Sequence, residues 1–292
     1  AQKSQDEVVI LHTNDTHSQI DPYKAGTEKE AAGMFRHISY VNAVRDKYET
    51  VFLFHAGDFS QGTPYYNLFH GYPEIQFLNE MKYDAATLGN HEFDDGLQSL
   101  ADRIKTADFP VVCANYKFKN KDLKKLVKPY VIIERNGMRL GVFGLTCHLY
   151  HMSGWPNVTD TAIYQDPIVT AKKMTSKLKK KNCDLIICLS HLGIGPDHRM
   201  MYPEMCDSLL AEKVQEIDLI IGGHTHYATP QPSKIGRVRI VQNDKQGITI
   251  AEKTGSVMGK RRSRMLVSNA ARAPCSKRNP KKREFSTPVP RN

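Results

Sequence analysis

Five short apolar runs punctuate the chain, and each gives way to residues that can ligate metals. Val8-Val-Ile-Leu11 leads into His12-Thr-Asn-Asp15-Thr-His17, and Val51-Phe-Leu-Phe54 into His55-Ala-Gly-Asp58. Ala85-Ala-Thr-Leu88 leads into Gly89-Asn90-His91-Glu-Phe-Asp94. Leu185 to Leu189 is followed by Ser190-His191, and Leu219-Ile-Ile221 by Gly222-Gly-His224-Thr-His226. Continuous apolar runs of this length fit strands buried on both faces. In sheets flanked by helices, ligands bind beyond the carboxyl ends of the strands, so five such ends are expected to converge on one site.

Between these runs the pattern changes period. Met34, Ile38, Val41 and Val44 recur at three- and four-residue spacing and predict a helix over Ala31 to Tyr48. Further helices are expected over residues 74–82, Leu97 to Lys105 and Pro167 to Lys181, with another ending over Ala211 to Glu216. The lysines of the fourth stretch read as a solvated face. Gly62-Thr-Pro-Tyr-Tyr66 reads as a turn-forming loop and Phe109 to Cys113 as a strand. Residues 131–144 read as a hairpin turning at Asn136-Gly137. Arg237 to Val241 is a strand and Gln246 to Ile250 a candidate last one. Strands alternating with helices define an α/β layered sandwich with mixed, largely buried β-sheets flanked by helices.

Composition changes this picture in two places. The chain of 292 residues, 40% hydrophobic and 25% charged, is ordinary for a globular protein, and it has no apolar run long enough to span a membrane. The net charge of +10, however, is unevenly spread. Residues 253–292 hold 12 bases and one acid, Glu284, whereas residues 1–252 hold 29 bases and 30 acids. The expected division is therefore a neutral catalytic domain over 1–252 and a basic, irregular tail over 253–292. The six cysteines include no C-x-x-C pair, which argues against a thiolate zinc site. Cys113 and Cys188 lie within apolar runs and read as buried small hydrophobes.

The candidate ligands are Asp15, His17, Asp58, Asn90, His191, His224 and His226. They offer oxygen and nitrogen without sulfur, a set that suits manganese, zinc, iron or cobalt. With one carboxylate bridging, they suffice for two divalent ions roughly 3.5–4 Å apart. Such a pair suits hydrolysis of a phosphate ester. The uncatalysed reaction demands accelerations up to about 10²¹, and one general acid or base contributes only about 10²–10⁴. His91 is the expected helper and Asp94 the carboxylate that orients it. His12, His37, His55, His70, His148, His151 and His198 are assigned to structure or surface, and Trp155 to ordinary packing rather than a substrate mouth.

These motifs, in order over roughly residues 8–250, resemble the calcineurin-like metallophosphoesterases, in particular the 5′-nucleotidase/UDP-sugar hydrolase branch. The residues that carry the likeness are Leu11-His-Thr-Asn-Asp-Thr-His17, Gly57-Asp-Phe-Ser-Gln-Gly-Thr-Pro64, Gly89-Asn-His-Glu-Phe-Asp94, Ser190-His-Leu-Gly193 and Gly222-Gly-His-Thr-His226. The resemblance implies that Asp15, His17, Asp58 and His226 hold one metal. Asp58, Asn90, His191 and His224 hold the other, with Asp58 bridging. It implies release of the 5′-phosphate from nucleoside monophosphates by in-line attack of a metal-bridging hydroxide, assisted by His91. A 2′,3′-cyclic-nucleotide phosphodiesterase or a broad-specificity phosphoesterase is the neighbouring alternative. A basic-tailed nucleic-acid-binding protein with an inactive site is the rival of another class, and nucleic acid is not the expected partner. Bifunctional members of the branch carry a further domain that recognises the base, so a separate polypeptide supplying nucleotide specificity is an expected partner. A periplasmic or extracellular location is expected from family habit and the processed-looking start at Ala1.

Overall fold

The computed structural model describes residues 4–25, 28–149, 161–198, 202–229, 232–247 and 250–256. His151, Trp155, Cys275 and the stretch 257–292 lie outside these residues. The first half of the chain contains strands β1 (Ser4–Thr13), β2 (Tyr23–Ala25), β3 (Glu28–Ala31), β4 (Tyr48–His55), β5 (Ala85–Thr87), β6 (Val111–Val112), β7 (Tyr116–Phe118) and β8 (Val127–Lys128). The second half supplies β9 (Tyr130–Arg135), β10 (Met138–Thr146), β11 (Ala162–Tyr164), β12 (Leu185–His191), β13 (Leu219–Gly222), β14 (Ser233–Ile235), β15 (Val238–Gln242) and β16 (Ala251–Ser256). The helices are α1 (Met34–Lys47), α2 (Pro64–Phe69), α3 (Tyr72–Glu80), α4 (Gly96–Ile104), α5 (Lys121–Leu126), α6 (Pro167–Lys180) and α7 (Asp207–Lys213).

Among the described residues, two six-stranded sheets form in the orders β16-β1-β4-β5-β6-β8 and β14-β15-β13-β12-β10-β9. The alternation of side chains along each strand builds three apolar layers. Ile10, Phe52, Phe54, Leu140, Val142, Ile187, Leu189 and Ile221 pack in one cluster contributed by both sheets. Val9, Leu11 and Leu53 instead join Met34, Val41, Ile75, Leu78 and Leu100 of α1, α3 and α4. Phe143, Leu145, Cys188 and Ile220 join Met174, Leu178, Leu210 and Ala211 of α6 and α7. The result is the layered α/β sandwich expected from the alternation of periods.

Parallel pairing aligns the carboxyl ends of the strands. Thr13 lies beside His55 across β1 and β4, and Thr146 beside His191 across β10 and β12. The five ligand-bearing strand ends therefore lie together. The Asn136-Gly137 hairpin forms as predicted, with Arg135 opposite Met138 and positive φ of 48° and 77° at the two turn residues. The lysines of α6 are exposed.

Three local expectations are corrected. Gly62 to Tyr66 is partly helical, because Pro64 opens α2 at a position where its missing N–H costs nothing. The strand expected over Phe109 to Cys113 narrows to Val111–Val112. The last strand lies at Ala251–Ser256, antiparallel to β1, rather than at Gln246 to Ile250. Gln246, with φ of 58°, donates its N–H to Asp15 O at 2.6 Å, and Gly247 O meets His37 Nε2 at 2.6 Å. These bonds commit residues 246 and 247 to a turn over the site.

Candidate metal centre

The loops after β1, β4, β5 and β13, with the last residue of β12, bring all seven predicted ligands together. His17 Nε2 stands 2.9 Å from His226 Nε2. Asp15 Oδ1 is 3.4 Å from His226 Nε2 and 3.9 Å from His17 Nε2. Asp58 Oδ2 lies 3.0 Å from His191 Nε2 and 3.9 Å from His17 Nε2. Asn90 Oδ1 is 3.0 Å from His224 Nδ1. Two Asp/His clusters result, Asp15-His17-His226 and Asp58-His191-His224, and Asp58 also groups with His17 and His91. The donors suit a dinuclear divalent metal site.

The backbone is bent to make this possible. Asp15, His17, Asp58, His224 and His226 all have positive φ, from 46° to 81°. Non-glycine residues rarely adopt that conformation, and it concentrates where function over-determines the chain. Two glycines permit the closest approach. A Cβ on Gly89 would lie 2.1 Å from Asp58 Oδ1, and one on Gly57, at φ +88°, would lie 2.6 Å from Gly89 N.

Hydrogen bonding and charge fit a cation pair. His191 Nδ1 is 2.7 Å from Ala56 O, which fixes the tautomer and leaves Nε2 facing Asp58. That Nε2 has no aligned hydrogen-bond partner, and His224 Nε2 and His17 Nδ1 are likewise buried without one. Burial disfavours the Asp58 charge, yet His191, His17 and His91 around it hold its carboxyl well below the usual range. Asp15, opposed by the same burial, is lowered by His226 and His191. Burial and the nearby His191 depress His224 to about 4. Burial opposes the His191 charge, but Asp58 and Asp15 overcome it and lift His191 to about 10. Metal ligation needs ionised carboxylates and neutral imidazoles, so binding there releases the His191 proton.

His91 lies at the rim of the centre. Its Nδ1 is 2.7 Å from Asp94 Oδ2, and its backbone N–H donates to Asp58 Oδ1 at 2.9 Å. Burial resists protonation of His91, but the Asp94 hydrogen bond and the charge of Asp58 lift it to about 9. Asp95 turns away instead, to His70 at 3.1 Å and Arg103 at 3.6 Å.

Several supporting residues carried no signal of their own in the sequence. Glu92, fully buried, accepts from Asp58 N at 2.9 Å, Ser60 N at 3.0 Å and Gly89 N at 2.6 Å, binding the β4 loop to the β5 loop. Arg103, also buried, donates to Glu92 O at 2.5 Å. Asp197 places Oδ2 3.9 Å from His224 Nε2. His55, assigned to structure, accepts from Gly57 N at 3.1 Å and meets Thr16 Oγ1 at 3.1 Å. A cavity of about 520 Å³ lined by Arg45, Tyr48, Asp84 and Arg135 opens near the start of β4, and none of the candidate ligands lines it. The described cysteines are free thiols. Among the described residues, no helix is long and apolar enough to cross a membrane.

Residues 8–228 match the family model of the calcineurin-like phosphoesterases, and the chain belongs to that family. The chain is 32% identical over 232 residues to a snake venom 5′-nucleotidase of Crotalus adamanteus, an alignment covering 75% of this chain and 37% of the relative. To the 5′-nucleotidase of Homo sapiens it is 32% identical over 241 residues, covering 78% of this chain and 40% of that one. It thus spans about two fifths of the length of these relatives. A solved 5′-nucleotidase precursor from Thermus thermophilus superposes with a TM-score of 0.78 at 28% identity, over 91% of this chain and 55% of the other. A calcineurin-like phosphoesterase from Bacillus subtilis superposes with a TM-score of 0.71 at 26% identity, over 92% and 90% of the two chains.

Proposed function

We propose that this chain is the catalytic unit of a metal-dependent phosphohydrolase that removes the 5′-phosphate from nucleoside monophosphates. The observation that carries the reading is Asp58, whose carboxylate belongs both to the cluster with His191 and His224 and to the cluster with His17 and His91. A carboxylate so placed is the bridge a two-metal site requires. In this reading Asp15, His17, Asp58 and His226 hold one ion, and Asp58, Asn90, His191 and His224 the other. When bound, the divalent pair supplies a nucleophilic hydroxide at neutral pH and neutralises phosphoryl charge.

The rest of the chemistry belongs to the chain's own groups. His91, protonated with its Nδ1 turned to Asp94, offers Nε2–H to a phosphoryl oxygen or to the departing alkoxide. Asp94 keeps that imidazole in one orientation. Glu92 fixes the Asp58 and Gly89 backbones, so the bridge and the His91 loop move as one body. Hydrolysis at this geometry needs positioning and charge stabilisation rather than a covalent protein intermediate.

The relatives named as 5′-nucleotidases support the nucleotide as substrate. Those named from snake venom support a setting outside the cytoplasm, periplasmic or extracellular. Base selection is assigned to sequence beyond the matched region, on this or a separate polypeptide. The catalytic unit is assigned to residues 1–252 and the basic stretch from 253 to a separate role, with β16 joining the two.

The test is phosphate release from AMP compared with bis(p-nitrophenyl) phosphate, for the native protein and for Asp58→Asn and His191→Ala. AMP turnover lost in both variants, with the circular dichroism of the native fold, supports the reading. Undiminished turnover in either variant contradicts the site assignment, and preference for the diester points to the cyclic-nucleotide or broad-specificity alternative.

A further inference from the structure

The loop that delivers His224 and His226 is folded around one side chain that takes no part in the chemistry above. Gln242 ends β15 opposite Gly222, the last residue of β13, and is buried. A buried carboxamide needs partners for both its oxygen and its nitrogen. One orientation provides them. Oε1 accepts from Tyr227 N at 2.9 Å, Thr225 Oγ1 at 3.1 Å and His226 N at 3.2 Å, while Nε2 donates to Gly223 O at 3.1 Å. Residues 223 and 225–227 are thus gathered onto a single amide.

The backbone of Gln242 holds the far end of the same loop. Its N–H donates to Thr229 Oγ1 at 2.8 Å, and its carbonyl accepts from Thr229 N at 2.9 Å. Thr225 Oγ1 also accepts from Ile194 N at 3.3 Å, which ties the loop to the one after β12. This bracing matters because His224 and His226 both hold left-handed backbone, at φ of 81° and 55°. Non-glycine residues keep that conformation only where their surroundings impose it. The two histidines are imposed upon differently. His224 N donates to the Asp15 carboxylate, at 3.0 and 3.1 Å from its two oxygens, and the His224 ring meets Asn90. The His226 side chain is 34% exposed, so packing fixes it less, and its backbone N–H is the one that Gln242 accepts.

We propose that Gln242 is a positioning residue that holds His226 ready for the metal ion it shares with Asp15 and His17. The inference rests on the two-metal reading, and in it Gln242 acts through His226 rather than on the reacting atoms. Groups that orient a metal ligand from behind contribute about 10- to 100-fold to metal affinity. Because the bonds to Asp15 keep His224 in place without the amide, loss of Gln242 falls on one ion of the pair and spares the other.

The test is equilibrium dialysis of Mn²⁺ against the native protein and Gln242→Met, whose side chain has similar length and neither hydrogen-bonding end. The native protein is expected to bind two ions. Gln242→Met is expected to bind one with native affinity and the other at least about tenfold more weakly. In its crystals at limiting Mn²⁺, the anomalous peak stays among Asn90, His191 and His224 and is lost among Asp15, His17 and His226. Two ions at native affinity in the variant overturn the proposal and leave the two-metal reading standing. Equal weakening of both ions also overturns it, since that marks a general loosening of the fold. Native protein that binds fewer than two ions overturns the two-metal reading and the proposal with it. A second measurement needs no variant and stands even if Gln242→Met does not fold. In EDTA, the N–H groups of His226 and Tyr227 in the native protein exchange with solvent at least about tenfold more slowly than in an unstructured chain. Exchange at the unstructured rate contradicts the bracing.

Discussion

The Nε2 atoms of His17 and His226 stand 2.9 Å apart although 209 positions separate the residues in sequence. Their rings cross at 84°, and Asp15 Oδ1 lies 3.4 Å from the His226 nitrogen. Two imidazole nitrogens facing each other beside a carboxylate favour a shared cation. Added Mn²⁺ or Zn²⁺ therefore raises the melting temperature by roughly 5 °C at a hundredfold excess over Kd, and EDTA reverses the shift. His17→Ala and His226→Ala each shrink that rise, as thermal scans with and without metal will show.

His91 and Asp94 divide their work unequally. Loss of the donor in His91→Asn is expected to lower kcat by about 10²–10⁴ while KM changes little. Asp94→Asn removes only the group that orients the ring and costs less. Steady-state kinetics on AMP measure both, and a His91→Asn enzyme at native kcat contradicts the role.

Gly89 is the tightest contact in the centre. A methyl group there meets Asp58 Oδ1 at 2.1 Å, so Gly89→Ala must push the carboxylate or the loop aside. Overpacking of this kind costs about 1–3 kcal/mol of stability, and displacement of a reacting group by an ångström costs about 10²-fold in rate. Activity is expected to fall far more than stability, which urea titration alongside kinetics will resolve.

Much of this was legible from the chain alone. Apolar runs ending in Asp15, Asp58, Asn90, His191 and His224 announced buried strands delivering ligands to one place, because strand burial and ligand chemistry are both local properties of residue type. The role of Glu92 was not. It lies inside the same motif as His91, but its carboxylate accepts from backbone N–H groups of residues 58, 60 and 89, and no pattern of side chains encodes the two bonds that reach backbone 34 and 32 residues away. The left-handed conformations of Asp15, His17 and His226 were equally silent, since the sequence has no glycine at those positions to signal them. The displaced final strand follows from the same cause: the turn at Gln246 and Gly247 is set by Asp15 and His37.

The Glu92 clamp predicts its own cost. Glu92→Ala leaves three backbone donors without their acceptor in a dry loop, and unpaired donors cost about 1–3 kcal/mol each. An unfolding free energy lower by about 3 kcal/mol or more is expected by denaturant titration. A loss below about 1 kcal/mol would show that the loops are held by something else.

Acid lability should report the buried His55. Burial depresses its pKa to about 3 in the folded protein, against about 6.5 when unfolded. Between those values the unfolded chain binds the extra proton, so this residue makes stability fall as pH drops from about 6.5 towards 3. The limiting slope is about 1.4 kcal/mol per pH unit for the one group. In EDTA, His55→Gln is expected to flatten the stability profile across that window by about one proton.

The most direct measurement is anomalous diffraction from crystals grown with Mn²⁺. Two peaks about 3.5–4 Å apart are expected, one among Asp15, His17 and His226, the other among Asn90, His191 and His224, with Asp58 between them. A single ion, or ions bound away from Asp58, would contradict the shared carboxylate on which the proposed chemistry depends.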